Sequence, residues 1–165
     1  MGLGSGLGLG WWLGVGLGLG WRPKTFPAAV ALIEHPQHGR ILFDTGYHQN
    51  FFQATKSYPE KFYSLLTPCT LSCNDGIVEQ LSLQAISPAD IDYLVLSHFH
   101  ADHIAALSEF TRAKILCHQA GYRFMAKAGR LARLRKGYLR ELLKGTEPKR
   151  FNWVNYFPLD LGKVL

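Results

Sequence analysis

The chain has little cysteine, little acid and, over its first 21 residues, no charge at all. Its three cysteines are Cys69, Cys73 and Cys117. An odd, sparse set excludes a disulfide framework and fits a reducing, cytoplasmic setting. Cys69-x-x-x-Cys73 lacks the second cysteine pair that a closed structural zinc site requires, so these read as small buried or loop thiols. Acidic residues number 12 against 18 lysines and arginines, giving a net charge of +6. The excess is local rather than spread along the chain, so it does not point to a nucleic acid partner. A hydrophobic fraction of 47% with 18% charged residues excludes a disordered polymer. A length of 165 residues allows one domain with a real core and little beyond it.

Residues 1–21 alternate glycine with apolar residues. The stretch is long enough to span a bilayer and is followed by Arg22 and Lys24. Glycine, however, costs about 1 kcal/mol per residue in a helix relative to alanine. No basic residue precedes the apolar run, which excludes an ordinary secretory signal. Residues 1–21 therefore read as a low-complexity tail or a misassigned start rather than a membrane anchor, leaving 22–165 as the domain.

From Phe26 onward the pattern is that of a folded α/β protein. Residues 28–33 and 40–43 have strand character, and the turn cluster 36–39 joins them into a hairpin ending at Asp44-Thr45-Gly46. Residues 47–66 read as partly helical. Asn74 or Asp75 is positioned to cap a helix through about residue 85. After a turn at 87–90, the apolar run 91–96 predicts a buried strand. A short helix over 104–110, a strand over 113–117 and helices over 119–143 complete an alternating pattern, which predicts a layered α/β domain.

Between that buried strand and the next helix lies His98-Phe99-His100-Ala101-Asp102-His103. Three of the chain's seven histidines fall within these six residues. Imidazole nitrogen and carboxylate oxygen suit zinc and neighbouring divalent ions, and iron or manganese would also be accommodated. His98 and His100 stand two apart, so an extended backbone points both the same way, toward one ion. Asp102 and His103 sit where the chain turns into the helix and aim elsewhere. Two adjacent ions satisfy both pairs, and paired ions generate a hydroxide nucleophile at neutral pH.

The run 92–103, with the strand and turn Arg40-Ile-Leu-Phe-Asp-Thr-Gly46 before it, resembles the metallo-β-lactamase superfamily and, within it, the lactonase-type hydrolases. The resemblance covers about residues 26–165. It implies a four-layer αββα sandwich with a dinuclear zinc site, of which this chain would carry mainly the N-terminal half. It implies that His98 and His100 ligate the first ion and that Asp102 and His103 ligate the second. It gives Asp102 a catalytic role in proton handling and makes Asp44 a carboxylate that hydrogen-bonds behind the ligands. The activity it implies is opening of a lactone or related ester or thioester by metal-bound hydroxide, with a small-molecule substrate.

The pattern is incomplete. The family takes a further histidine, a bridging aspartate and a final histidine downstream. This chain has only His118, which reads as a strand-end histidine, and Asp160, which lies in a stretch resembling the one before the missing ligands. The alternative expectation is therefore a non-catalytic metal-binding fragment, its uncovered sheet face prone to self-association. Residues 122–145 carry eight basic side chains against the single acid Glu141, with leucines at roughly helical spacing. They predict a basic amphipathic helix, either a solvated outer layer or a wall over the site.

Overall fold

The computed structural model describes residues 2–10, 24–146 and 151–153. Among the described residues seven strands form one mixed sheet: β1 (Gly2–Gly10), β2 (Lys24–His35), β3 (Gly39–Phe43), β4 (Cys69–Thr70), β5 (Tyr93–Val95), β6 (Lys114–Cys117) and β7 (Phe151–Trp153). The strand order is β4-β1-β2-β3-β5-β6-β7. β1, β2 and β3 pair antiparallel, whereas β3, β5, β6 and β7 run parallel. The helices are α1 (Gln49–Ala54), α2 (Glu60–Leu66), α3 (Ile77–Ser82), α4 (Ala101–Ile104), α5 (Gln119–Lys127) and α6 (Arg130–Arg135). Single 3-10 turns lie at Pro88–Asp90, Leu107–Glu109 and Arg140–Leu143.

The expected hairpin is β2–β3. Gly39 takes φ +73° at its turn, and a Cβ there would stand 2.0 Å from Asp92 Oδ2. That carboxylate accepts the Arg40 N–H at 2.9 Å, so the turn is bound to the chain entering β5. Glycine meets both demands. Gly2–Gly10, part of the stretch expected as a tail, pairs with β2 in the structure. Its glycine–apolar alternation has the two-residue period of a strand. Residues 11–23 and Asp160 lie outside the described residues.

Strand alternation sets the core. Leu32, Leu42, Leu94 and Ile115 stand in register across β2, β3, β5 and β6. Leu42, Leu94 and Ile115 are fully buried, in one cluster with Phe51, Ile77, Leu81, Ile104, Leu107 and Phe110 from the helical layer. The opposite row is more open: Ile33 is 46% and Phe43 39% exposed. The α/β layering agrees with expectation, and among the described residues there is one sheet, with no second sheet opposite it.

The basic segment is not one helix. α5 ends at Lys127, α6 starts two residues after Ala128, and Gly137 at φ +70° closes α6. Arg130 reaches back to α2, donating to both oxygens of Glu60 at 2.7 and 2.6 Å. That bond is the main influence holding the Glu60 carboxyl below its ordinary range. Among the described residues no helix is long and apolar enough to cross a membrane.

Candidate metal centre

The two sequence signals meet at the C-terminal ends of neighbouring parallel strands. β3 delivers Asp44, and β5 delivers Ser97 through His103. Ligands of open α/β sheets collect at such ends. The Asp44 N–H donates to Val95 O at 2.9 Å, and the Thr45 N–H donates to His103 O at 2.8 Å. The Thr45 hydroxyl donates to the same carbonyl at 3.0 Å and accepts the Ala106 N–H at 3.2 Å. The Asp-Thr-Gly turn is thereby fastened to the motif at both ends. Its bend requires positive φ at Asp44 (60°) and Gly46 (66°). Aspartate is among the few side-chain-bearing residues that accept that region.

Within the motif, ligand-type residues alternate with anchors. Phe99, Ala101 and Ile104 are buried in the core. The ring of Phe99 lies beside Gly121 of α5, where a Cβ would approach it to 3.1 Å. The intervening His98, His100, Asp102 and His103 are left facing one another. His98 Nε2 stands 2.8 Å from His100 Nδ1, and His103 Nε2 stands 3.2 Å from Asp102 Oδ2. All four sequence-predicted residues are therefore brought together in one cluster, in which the His98 ring lies 4.0 Å from that of His103 and 4.4 Å from that of His100.

Asp44 is 2% exposed and lies behind them. Its Oδ1 accepts the Ser97 N–H at 2.8 Å. Its Oδ2 accepts the Ser97 hydroxyl at 2.7 Å and faces His103 Nδ1 at 2.7 Å. Ser97 was not singled out from the sequence. Its place between the apolar run and His98 was the available signal, and its hydroxyl also lies 3.0 Å from His98 Nδ1.

The electrostatics follow from this packing. Burial pulls the His103 imidazole down, but its hydrogen bonds to Asp102 and Asp44, together with their charges, outweigh burial and carry it up to about 9. Burial opposes ionisation of Asp102, yet the His103 contact holds its carboxyl below the usual range. Burial and the neighbouring imidazoles lower His98, which keeps it neutral at pH 7. Tyr47, Tyr63 and Cys69 are all pushed up, first by burial and then by the Asp102 charge. All three stay protonated and do not compete as anions.

Imidazole and carboxylate are donor types that suit divalent ions. Two ligands on one tetrahedral zinc, each about 2.0–2.1 Å from it, stand about 3.3 Å apart. The facing pairs are within about half an ångström of that separation. No three His, Cys, Asp or Glu side chains among the described residues form a single site, so each pair stands as two donors. His118 accepts the Ala120 N–H through Nδ1 at 3.3 Å, a helix-capping role at the start of α5. It lines a cavity of about 360 Å³ with Ser97, His98, Phe99, Gly121 and Tyr138.

A mixed sheet thus carries a histidine–aspartate loop at its strand ends, braced by an Asp-Thr-Gly turn. The metallo-beta-lactamase superfamily model matches residues 24–154, and the chain belongs to that superfamily. N-acyl homoserine lactonase AttM of Rhizobium radiobacter is 33% identical over 98 residues, which cover 59% of this chain and 36% of that protein. N-acyl homoserine lactonase AiiB of Agrobacterium fabrum (strain C58) is 29% identical over 79 residues, 48% of this chain and 28% of that protein. The chain thus spans about a third of the length of these curated relatives. Among solved structures, an N-acyl homoserine lactone hydrolase with N-hexanoyl-L-homoserine at its catalytic metal centre aligns with a TM-score of 0.73 at 20% identity. That alignment covers 96% of this chain and 61% of that one. AidC, a dizinc quorum-quenching lactonase, gives a TM-score of 0.55 at 19% identity, covering 81% and 45%. These likenesses establish the fold.

Proposed function

We propose that this chain carries the metal-binding core of a hydrolase that opens a lactone, with N-acyl homoserine lactones as the substrate class to test first. The observation that supports it is the pair of facing donor sets, His98 with His100 and Asp102 with His103, braced by buried Asp44. The lactonase relatives supply the substrate class. His98 and His100 would hold one divalent ion, and Asp102 and His103 a second; zinc suits the donor set, as would iron or manganese. When bound, such ions supply Lewis acidity toward a carbonyl oxygen and a lowered pKa for water.

The chain's own groups set the conditions for that chemistry. Asp44 Oδ2 keeps the proton of His103 on Nδ1, which leaves Nε2 as the donor. The Asp102 carboxylate remains ionised and in this reading would carry a proton as the ring opens. The test is zinc content after dialysis, combined with product analysis on N-hexanoyl-homoserine lactone. Close to two zinc ions per chain and turnover lost in His98→Ala are expected. A chain that retains no zinc while staying folded would sink the reading.

A metal-binding chain without turnover is a second reading. It is favoured by the absence, among the described residues, of a third protein donor for either pair. Zinc retained at two per chain with no product would select it.

A further inference from the structure

The structure assigns the turn Lys136–Gly137 a positioning role: its backbone carbonyl fixes which nitrogen of His100 is free to bind a metal. The role of His100 as a ligand rests on the proposed function; the tautomer assignment does not. His100 Nε2 lies 2.8 Å from Lys136 O, 36 residues along the chain. A carbonyl oxygen only accepts, so this contact places a proton on Nε2. In the neutral ring Nδ1 then carries the lone pair, and Nδ1 is the atom that faces His98 Nε2.

The turn is built to present that carbonyl. α6 ends in a double-bonded left-handed cap: Gly137 N–H donates to Leu134 O at 2.9 Å and Tyr138 N–H to Arg133 O at 3.0 Å. Gly137 has φ +70°, the conformation this cap needs. It also has no room for a side chain. A Cβ there would meet His100 Cδ2 and Tyr63 Cε2 at 3.1 Å and His100 Nε2 at 3.3 Å. Helix capping asks for positive φ; the approach to the imidazole asks separately for a missing Cβ. Tyr138 follows, its ring edge-on to His100 with centroids 5.6 Å apart. The basic segment thus reaches the histidine cluster through a backbone oxygen and leaves its charges outside.

Nitrogen-15 spectra of histidine-labelled, metal-free protein at pH 8.5, with His100 assigned by comparison with His100→Gln, read the tautomer directly. The proton on Nε2 is expected; a proton on Nδ1, or an equal mixture, overturns the proposal whether or not the chain binds zinc. Zinc affinity of Gly137→Ala and Gly137→Asn, measured against a competing chelator, is the second readout. Loss of an outer hydrogen-bond partner weakens metal binding about 10–100-fold. Asparagine tolerates positive φ but carries the Cβ, so Gly137→Asn is expected to recover helix stability without recovering affinity. Wild-type affinity in Gly137→Asn, with its His100 tautomer unchanged, would reduce the turn to a plain helix cap and refute the role. If the wild-type chain binds no zinc, the metal reading fails, while the spectra still decide the tautomer.

Discussion

Replacing Asp44 by asparagine isolates the chemistry of the buried carboxylate from its geometry. Asparagine has the same shape and also accepts the 60° φ at this position, so the turn survives the change. The hydrogen bonds do not all survive. Asp44 accepts three donors, the Ser97 N–H, the Ser97 hydroxyl and His103 Nδ1. An amide keeps its oxygen for the Ser97 N–H and turns its NH₂ toward the other two. The hydroxyl can reverse and accept; a protonated Nδ1 cannot. His103 must move away or shift its proton to Nε2.

The magnitude follows from the imidazole. A rise from 6.5 to about 9 corresponds to on the order of 3 kcal/mol, shared between two carboxylates. Losing the Asp44 share, its hydrogen bond included, predicts a loss of about 1–2 kcal/mol in the metal-free protein. The folded pKa lies above the unfolded one. The stabilisation is therefore complete below pH 6.5 and disappears as pH rises through about 9. Urea unfolding of metal-free wild type and Asp44→Asn should accordingly differ most near pH 6 and converge above pH 9. Equal stability at pH 6, or a gap that widens in alkali, would refute the reasoning.

Three further outcomes are expected. Asp102→Asn removes the carboxylate facing His103 Nε2, so the bound zinc measured by elemental analysis should fall from about two per chain toward one. In the metal-free protein His103 is protonated at pH 7. Zinc binding should therefore release about one proton from it and tighten as pH rises toward 9, measured by titration calorimetry in buffers of different ionisation enthalpy. Leu94→Ala, in the buried row between Leu42 and Ile115, should cost about 2–5 kcal/mol in urea unfolding with the denaturant slope unchanged.

The legible parts of the sequence were those governed by local rules. Alternation at 40–43 and the apolar run at 91–96 gave β3 and β5, and their C-terminal ends gave the site. The parts that differ were decided by distant partners. A helix over 104–110 was expected, but the structure has α4 inside the motif and a separate 3-10 turn at Leu107–Glu109. Thr45, about sixty residues upstream, is the reason. It takes the His103 carbonyl and the Ala106 N–H, both of which a continuing helix would need for its own ladder. The helix expected to start from Asn74 or Asp75 is capped instead at Gly76, because the Asp75 carboxylate turns back to the Ser72 N–H at 2.8 Å. The contact between His100 and Lys136 O has no sequence signature, since the acceptor is backbone. Asp44 was visible in sequence and Ser97 was not, because only the parallel pairing of β3 with β5 joins them.

The charge arrangement explains how so many polar groups pack together. Asp44 and Asp102 flank His103 on its two nitrogens, at 2.7 and 3.2 Å. Two carboxylates with no cation between them would carry a heavy desolvation cost, and the protonated imidazole supplies the missing positive charge. Under the proposed function, a divalent ion at Nε2 would replace one proton with two positive charges beside two carboxylates. Asp44 keeps its hold on Nδ1 throughout, and the Phe99, Ala101 and Ile104 anchors hold the backbone between the donors. Folding therefore orients these side chains by itself, and under the proposed function little conformational entropy would be left to oppose ion binding.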